Sequence, residues 1–413
     1  MTQVAIVGAG PAGIAAANVL VAHGVAPVVI DEGLRPGGQI YRQPRLGLRL
    51  DIDALLGAEA GNYRRTHATF ASLQDRIDYR PRTLAWAIDD RTLHTVQGGA
   101  AATVNFDAII LATGATDRTF PIKGWTLPGV FTLGGAQVLL KEHGCLIGRR
   151  IVFCGSSPLL YLAAKQYRQM GAEIAAILDT TPLAAKIAAA ADLMAAPGTF
   201  VRGLGYMAAL RRAGVAIHHG VQLRAFEGAA GVEAVCFRDA HGEDVALRCD
   251  AVALGFGLKP ETQLVELAGA ELRYDPVFRQ WLPHADPDGR CGNSVYVAGD
   301  GATVGGAQAA ALTGTLAACA VLEDFKIKVA GIDRARVRSQ VARLRRFQRG
   351  LARAFAWPVD AVRALDDAVM VCRCEGISAG ELRASLRADF GPAEVNRLKA
   401  ITRCGMGRCQ GRF

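Results

Sequence analysis

The sequence predicts an α/β protein in which one strand–turn–helix–strand unit occurs twice, followed by a smaller cysteine-bearing unit. Three observations carry this expectation. The glycine turn Gly8-x-Gly10-x-x-Gly13 lies between an apolar, β-branched strand, Val4 to Val7, and a stretch of helical composition, Ile14 to Ala22. The same order returns further on: strand Ile151 to Cys154, turn Gly155-Ser-Ser-Pro158, helix Leu159 to Met170, Gly171, and strand Glu173 to Leu178. Four of the ten cysteines then fall in the last stretch, from about Val369.

Composition fits this outline. The 413 residues suggest two or three domains at roughly 100–200 residues each. The 47 glycines exceed the usual ~7% and collect in short motifs, as turns and close backbone approaches do. Net charge is +9 and the pI about 9.2. Much of the excess lies between Lys326 and Arg353, including Arg334, Arg336, Arg338, Arg343, Arg345, Arg346 and Arg349. Few aromatics interleave these arginines, so no stacking platform for bases is formed and no nucleic-acid partner is expected. The expectation is a solvated helical face or a subunit contact. No charged leader precedes the first strand, and no apolar run of ~20 residues is free of Gly, Pro and charge, so no transmembrane segment is expected. Ten cysteines without an export signal argue against a disulfide framework and make the cytoplasm the default compartment.

The remaining elements follow in order. Gly24 suits the end of the first helix, and Val28-Val29-Ile30 is a buried strand ending at Asp31-Glu32. Residues 51–73 read as helix and loop, and short strands are expected at Leu84 to Ile88, Leu93 to Val96 and Thr103 to Phe106. The strand Ala108 to Leu111 runs into Ala112-Thr113-Gly114, Ala251 to Leu254 into Gly255-Phe-Gly257, and Val295 to Ala298 into Gly299-Asp300. A small-residue helix spans about Gly305 to Ala320, and an Arg-rich helical segment about Asp333 to Ala364.

The first glycine turn carries chemistry. Gly8 makes the tight turn, Gly10 lets the backbone approach a pyrophosphate, and Gly13 allows close helix–strand packing. The helix opening at Pro11-Ala12 offers unpaired N–H groups and about half a positive charge to phosphates. Asp31 stands about 20 residues on, where an acid binds a ribose hydroxyl. These features are those of a Rossmann-like dinucleotide-binding fold.

With Gly37-Gly38-Gln39, Ala112-Thr113-Gly114 and Val297-Ala298-Gly299-Asp300, the chain resembles the two-dinucleotide-domain flavoproteins up to about Ala320. The resemblance implies FAD. It assigns the cofactor to Gly8, Gly10, Pro11, Ala12, Gly13, Asp31, Glu32, Gly38, Gln39, Ile40, Ala85, Ala112, Thr113, Gly114, Gly299, Asp300, Gly306 and Ala307. Asp300 is placed at the ribityl or pyrophosphate region, and the helix after it points its N-terminus at the flavin pyrimidine edge, where the reduced flavin carries negative charge. The implied domains are 1–119 with 288–325 for FAD, 120–287 for an inserted NAD(P)-type fold, 326–367 for a helical connector and 368–413 for the cysteine unit.

The second glycine turn is degenerate. Ser157 stands where the second glycine belongs and Leu160 where the third does, which hinders pyrophosphate approach and opens the helix–strand contact. This argues against an NAD(P) site. Disulfide reductase chemistry is also disfavoured: Gln39-Ile-Tyr-Arg-Gln43 holds no Cys, and Cys145 and Cys154 are too far apart for a Cys-x-x-Cys pair. Cys236, Cys249, Cys291 and Cys319 are expected to be small buried hydrophobes.

Cys372-Arg-Cys374 and Cys404-Gly-Met-Gly-Arg-Cys409 are paired as ligands of a tetrahedral metal or an iron–sulfur cluster are, and zinc fits the count equally well. The words Val371-Cys-Arg-Cys-Glu375 and Thr402-Arg-Cys-Gly-Met-Gly-Arg-Cys-Gln-Gly-Arg412 resemble the bacterioferritin-associated ferredoxin-like domain, which implies a [2Fe–2S] cluster on Cys372, Cys374, Cys404 and Cys409. Relatives of that domain continue with further helix, whereas this sequence stops at Phe413, so an incompletely capped or truncated unit is expected.

The whole arrangement, with Pro36-Gly-Gly-Gln-Ile-Tyr-Arg42 and Val297-Ala-Gly-Asp-Gly-Ala302, resembles the larger subunits of bacterial amine and imino-acid dehydrogenases. That group includes octopine and nopaline oxidases, the hydrogen cyanide synthase B subunit, hydroxyproline dehydrogenase and the sarcosine oxidase α subunit. It implies an FAD-containing electron-transfer subunit in a hetero-oligomer, beside a flavoprotein β subunit carrying the substrate site and, as a further partner, a small ferredoxin-like subunit. No conspicuous acid–base pair or nucleophile is visible, and His218-His219 reads as a strand end. Two other readings stand: an NAD(P)H-dependent FAD reductase feeding a ferredoxin-like centre, and a non-catalytic nucleotide-binding scaffold.

Overall fold

The computed structural model describes residues 2–388 and 394–411; Met1, residues 389–393, Arg412 and Phe413 lie outside the described residues. Val4–Val7, buried at all four positions, is central to a six-stranded sheet. Its order is Arg290–Gly292, Val295–Val297, Ala108–Leu111, Val4–Val7, Val28–Ile30, Asp78–Arg80. All pairings are parallel except that of the edge strand Arg290–Gly292. The inner strands are continuously apolar because both faces are covered. Helices Pro11–Ala22 and Gly306–Asp324 cover one face. A three-stranded antiparallel sheet, Thr83–Asp89, Thr92–Gln97 and Ala100–Asn105, covers the other through Ile88, Leu93 and Val104.

The second unit repeats the plan. Its five parallel strands run in the order Ile217–His219, Glu173–Asp179, Arg150–Gly155, Ala251–Gly255, Val130–Thr132. Helices Leu133–His143 and Leu159–Gln169 pack on one face, and the meander Gln222–Glu227, Ala234–Arg238, Asp244–Arg248 packs on the other. An antiparallel ribbon, Ala115–Asp117 with Leu258–Pro260, joins the two units.

The Arg-rich segment departs from the sequence expectation in two ways. It is one helix, Arg334–Ala354, and a short second one, Val359–Arg363, rather than a single run. Pro358 accounts for the break, since its ring clashes with a helical carbonyl and it donates no N–H. Nor are the arginines simply solvated. Arg334 and Arg338 converge with Arg290 on Asp288, which is 1% exposed. Arg349 bonds Asp275 at 3.0 Å, and Arg346 and Arg353 both reach Asp192. Gly350 lets the helix close onto Asp192 and Leu193, where a Cβ would meet Asp192 Cβ at 2.9 Å. The helix therefore straps the first unit to the second. The acids that hold it lie far from it in sequence, where no local pattern reveals them.

The cysteine unit contains a two-stranded ribbon, Met370–Cys372 with Ile377–Ser378, ahead of helices Ala379–Arg387 and Val395–Thr402. Ser378 and Glu381 form a capping box at the first of these helices. Among the described residues no helix is long and apolar enough to cross a membrane.

Asp288→Ala leaves Arg290, Arg334 and Arg338 facing a buried gap. We expect it to lower unfolding stability by about 2–4 kcal/mol, somewhat less than a fully buried pair because the arginines reach water. An unchanged urea midpoint would refute the strap.

Candidate functional site

The glycine turns meet at the carboxyl ends of the parallel strands of the first sheet, where open α/β folds bind ligands. Gly8 has φ +106°, and a Cβ there would run into the Ala112 carbonyl oxygen. A Cβ at Gly13 would run into the Gly8 carbonyl oxygen. Gly10 and Gly38 face each other backbone to backbone, so that a Cβ at Gly38 would lie 3.0 Å from Gly10 Cα. Gly299 sits against Ala12, and Gly301 against Thr113. Gly114 and Gly306 have positive φ and open space in front of them. The structure thus brings Gly8 to Gly13, Gly38, Ala112 to Gly114 and Gly299 to Gly306 around one concave backbone surface. No side chain caps helix Pro11–Ala22, whose N-cap is Gly10, so its N-terminal field is directed into the cradle. Such a surface fits a pyrophosphate-bridged dinucleotide, which needs approach rather than bulk.

Two acids border it. Asp31 accepts the Ala9 N–H at 2.5 Å and the Gly33 N–H at 2.6 Å. Burial raises its pKa, opposed by those two N–H groups. Asp300 accepts the N–H groups of Gly305 and Gly306 at 2.8 and 3.0 Å, which organises the start of helix Gly306–Asp324 and places Ala307 in its first turn. Burial raises its pKa as well, against the same N–H groups. Glu32 is exposed. Ala85 lies two residues beyond Thr83, whose N–H bonds the Asp31 carbonyl at 2.9 Å, so it belongs to the same side of the cradle.

Gln39 and Ile40 continue the Gly37-Gly38 turn, and a buried cation lies beneath them. Lys141 Nζ approaches the Gln39 and Ile40 carbonyls at 3.5 and 3.3 Å. Arg42 takes the adjacent carboxylate, Glu142, at 2.5 Å. Burial, with the Arg42 charge, pulls Lys141 down to about 8. Sequence reading passed it over, since a lysine in the last turn of a helix ordinarily faces water.

Residues 2–315 match the family of pyridine nucleotide-disulphide oxidoreductases. Relatives match along almost the full chain. The A subunit of the opine oxidase of Agrobacterium tumefaciens is 36% identical over 99% of this chain and 83% of its own length. Hydrogen cyanide synthase subunit HcnB of Pseudomonas aeruginosa is 30% identical over 99% of this chain and 89% of its own. The chain belongs to the pyridine nucleotide-disulphide oxidoreductase family. It is a flavin-dependent oxidoreductase. The crystal structure of L-proline dehydrogenase from P. horikoshii shares the fold, with a TM-score of 0.73 and 20% identity over all of this chain and 71% of that one.

Against this family background the second glycine turn is filled. Gly155 keeps the strained geometry of Gly8, with φ +132° and a Cβ position blocked by the Gly255 carbonyl oxygen. Ser156, Ser157 and Leu160 are all buried. Asp179 pairs in register with Gly155 and so occupies the place Asp31 holds beside Gly8. Unlike Asp31 it is fully buried and taken by other side chains, Lys186 at 2.7 Å, Tyr161 OH at 2.5 Å and the Thr181 hydroxyl at 2.5 Å, with the Thr181 backbone N–H at 2.9 Å besides. His219 Nδ1 lies 3.7 Å away, so the second histidine of His218-His219 ends its strand inside this network. Burial raises the Asp179 pKa, but His219 and Lys186 more than offset it, leaving it below the usual carboxylate range.

The isolated cysteines divide. Cys249 and Cys319 are buried as expected, whereas Cys236, in the middle strand of the meander, and Cys291, in the edge strand Arg290–Gly292, are half-buried. The four C-terminal cysteines are gathered. Cys372 and Cys374 sulfurs are 3.8 Å apart, Cys374 and Cys409 3.5 Å, and Cys404 contacts Cys372. Among the described residues no group of three or more His, Cys, Asp or Glu side chains is arranged to hold a metal ion. Burial raises the Cys372 thiol, but the N–H groups of Gly405 and Glu375 and the neighbouring thiols outweigh it and hold the pKa below the ordinary value.

Lys141 gives a prediction whose sign can be worked out. Its native pKa lies below the unfolded value, so the native state binds fewer protons between about pH 8 and ~10.4, and stability rises with pH across that window. Lys141→Met is expected to be more stable at pH 7 by on the order of 2 kcal/mol, with the advantage shrinking towards pH 10. Urea unfolding at both pH values checks this; an advantage that does not shrink would contradict the buried cation.

Proposed function

We propose that this chain is the FAD-containing electron-transfer subunit of a hetero-oligomeric dehydrogenase acting on amines or imino acids of the opine, hydroxyproline or D-amino-acid type. The observation that carries the reading is the pairing, in one chain, of a glycine-lined dinucleotide cradle with four cysteine thiols brought into contact at the other end. The relatives are named as subunits of an opine oxidase and of hydrogen cyanide synthase, and the structural neighbour as an L-proline dehydrogenase, which supports C–N oxidation as the shared theme. A flavoprotein β subunit carries the substrate site, and a small ferredoxin-like subunit is a further partner.

In this reading residues 1–119 and 288–325 hold FAD, 120–287 form the inserted fold, 326–367 the connector and 368–413 the cluster unit. The N–H groups at Gly10 to Gly13 bind the pyrophosphate. Asp31 takes a ribose hydroxyl, and Asp300 orients the ribityl side while ordering the loop before Gly306. The N-terminus of helix Gly306–Asp324 faces the flavin edge where negative charge develops. Cys372, Cys374, Cys404 and Cys409 hold a [2Fe–2S] cluster, and a set made of thiols alone suits it. FAD accepts an electron pair and the cluster passes electrons singly, so together they couple C–N oxidation to a one-electron carrier. Nicotinamide is not the donor: the acid that would bind its ribose, Asp179, is neutralised by Lys186.

The deciding measurement is an anaerobic visible spectrum with flavin, iron and sulfide analysis. Flavin bands with a broad reducible shoulder and about two irons per chain support the relay; flavin without iron removes the cluster, and no flavin overturns the reading. Cys404→Ser should lose the iron and keep the flavin; wild-type iron content would refute its ligand role. Asp300→Ala should release FAD more readily on desalting, and unchanged flavin content would sink its assignment. NADH should leave the flavin oxidised under argon, and rapid bleaching would instead favour a nicotinamide-dependent reductase.

A further inference from the structure

The last turn of helix Leu133–His143, in the second unit, is clamped to the loop that leaves the cradle. Arg42 on that loop takes the Glu142 carboxylate at 2.5 Å, and the Arg45 N–H donates to the Glu142 carbonyl at 2.9 Å. Gly144, just past the helix, packs so closely that a Cβ there would meet Leu48 and Leu50 Cδ2 at 3.2 Å. In the same turn stands Lys141, 7% exposed, with Nζ 3.5 Å from the Gln39 carbonyl and 3.3 Å from the Ile40 carbonyl. No carboxylate among the described residues pairs with it, and the charge that acts on it, Arg42, is of like sign. An ammonium buried on two long carbonyl contacts costs the fold stability, so its retention calls for another reason.

The turn that Lys141 touches is also part of the cradle. The Gly37 N–H donates to the Ala9 carbonyl at 2.8 Å, and Gly38 lies against Gly10 and Pro11, where a Cβ would meet Gly10 Cα at 3.0 Å and Pro11 Cδ at 3.5 Å. The Tyr41 N–H donates back to the Gly37 carbonyl at 3.3 Å. Among the described residues no acceptor takes the N–H groups of Gly38, Gln39 and Ile40. A planar trans peptide points its carbonyl and its N–H in opposite directions. With the Gln39 carbonyl drawn to the ammonium, the Ile40 N–H of the same peptide is turned away from it. The charge also polarises the peptide it holds, which strengthens that N–H as a donor.

We propose that Lys141 is a positioning residue for the dinucleotide: its ammonium, contributed by the inserted fold, holds the Gln39–Ile40 peptide by its carbonyls and so keeps the N–H groups of the turn beside Gly10 and Pro11 free for the bound cofactor. The inference rests on the reading of the cradle as an FAD site. It gives the second unit a part in cofactor retention that does not involve its own glycine turn. The charge has a sign that can be checked. Burial, with Arg42, holds Lys141 at about 8. Glu142, beside it on the helix, is already taken by Arg42. Burial raises the Tyr41 phenol and lowers the imidazole of His67, which bonds the Tyr41 carbonyl at 2.9 Å, so neither titrates between pH 7 and 9. Binding that uses the ammonium is therefore complete below the Lys141 pKa and weakens as pH rises through it.

The test uses the full chain, stripped of flavin and titrated with FAD by the change in flavin fluorescence at pH 7 and pH 9. Wild type is compared with Lys141→Met, which fills the space without charge or donors, and Lys141→Gln, which keeps donors and drops the charge. Urea unfolding of the same flavin-free proteins runs alongside. Lys141→Met is expected to bind FAD about tenfold more weakly at pH 7, the scale of one hydrogen bond to a charged group, while unfolding at a higher urea concentration. The wild-type dissociation constant is expected to rise several-fold from pH 7 to pH 9, and those of both variants to rise less. Equal affinity and equal pH response in wild type and Lys141→Met overturn the proposal and leave the FAD site standing. Weaker FAD binding together with a lower urea midpoint overturns it too, since the lysine would then be structural. A wild-type chain that binds no FAD fails the cradle reading itself and takes this inference with it.

Discussion

The first unit depends on one constraint: main chain must lie directly on main chain where its strands end. Gly8 lies against the Ala112 carbonyl, Gly13 against Gly8, Gly299 against Ala12, and Gly314, in the far helix, against the Ala12 carbonyl. Methyl groups at these points would wedge the helices Pro11–Ala22 and Gly306–Asp324 off each other and off the sheet. The second helix is therefore rich in small residues from Gly306 to Ala320 and buries Ala309, Ala310, Gly314, Ala317 and Ala318 alongside Leu316 and Leu322. The contact closes a unit whose two parts are separated by the whole inserted fold. The cradle is a by-product of this packing: backbone brought that close leaves N–H groups, not side chains, facing the opening.

Buried carboxylates mark the next level, and their partners decide what each does. Asp31 and Asp179 hold equivalent register positions in the two sheets. Asp31 is bonded to the backbone N–H groups of Ala9 and Gly33. Asp179 is matched by an ammonium and a phenol from its own chain. A buried charge without partners costs several kcal/mol, so once the second turn has filled with Ser157 and Leu160, an internal cation is what makes the retained acid tolerable. Asp288 follows the same rule in a structural role, collecting the arginines that fix the long helix across both units.

Much of this was legible in the sequence, and the reason is locality. The turns at Gly8, Gly155 and Gly299 announce themselves because each strand, glycine and helix are contiguous. The apolar strands read correctly because both faces are covered. What escaped reading was long-range or alternating. The meander from Gln222 to Arg248 sets exposed residues such as Arg224, Glu227, Asp244 and Arg248 among its apolar ones and gives no continuous apolar run. The ion pairs of the Arg-rich helix join residues far apart in the chain, so its arginines looked solvated. Lys141 carries no local signal of burial, and His219, which does end its strand as read, is brought beside Asp179 only by the fold.

The second fold also has a structural part, and packing says what it is. The second sheet supplies Leu258–Pro260, one half of the ribbon, and through Val152, Cys154, Val252 and Leu254 it supplies the apolar face against which Phe120, Trp125 and Trp357 pack. Without that face Trp125 would have nothing to hold its ring, and the hydrogen bond to Met370 would be made by a mobile side chain. The strap from Asp288 to Asp192 then fixes the orientation of that face relative to the cradle. The second sheet thus does structural work: it seats the aromatic side chains that hold the cysteine unit to the rest of the chain.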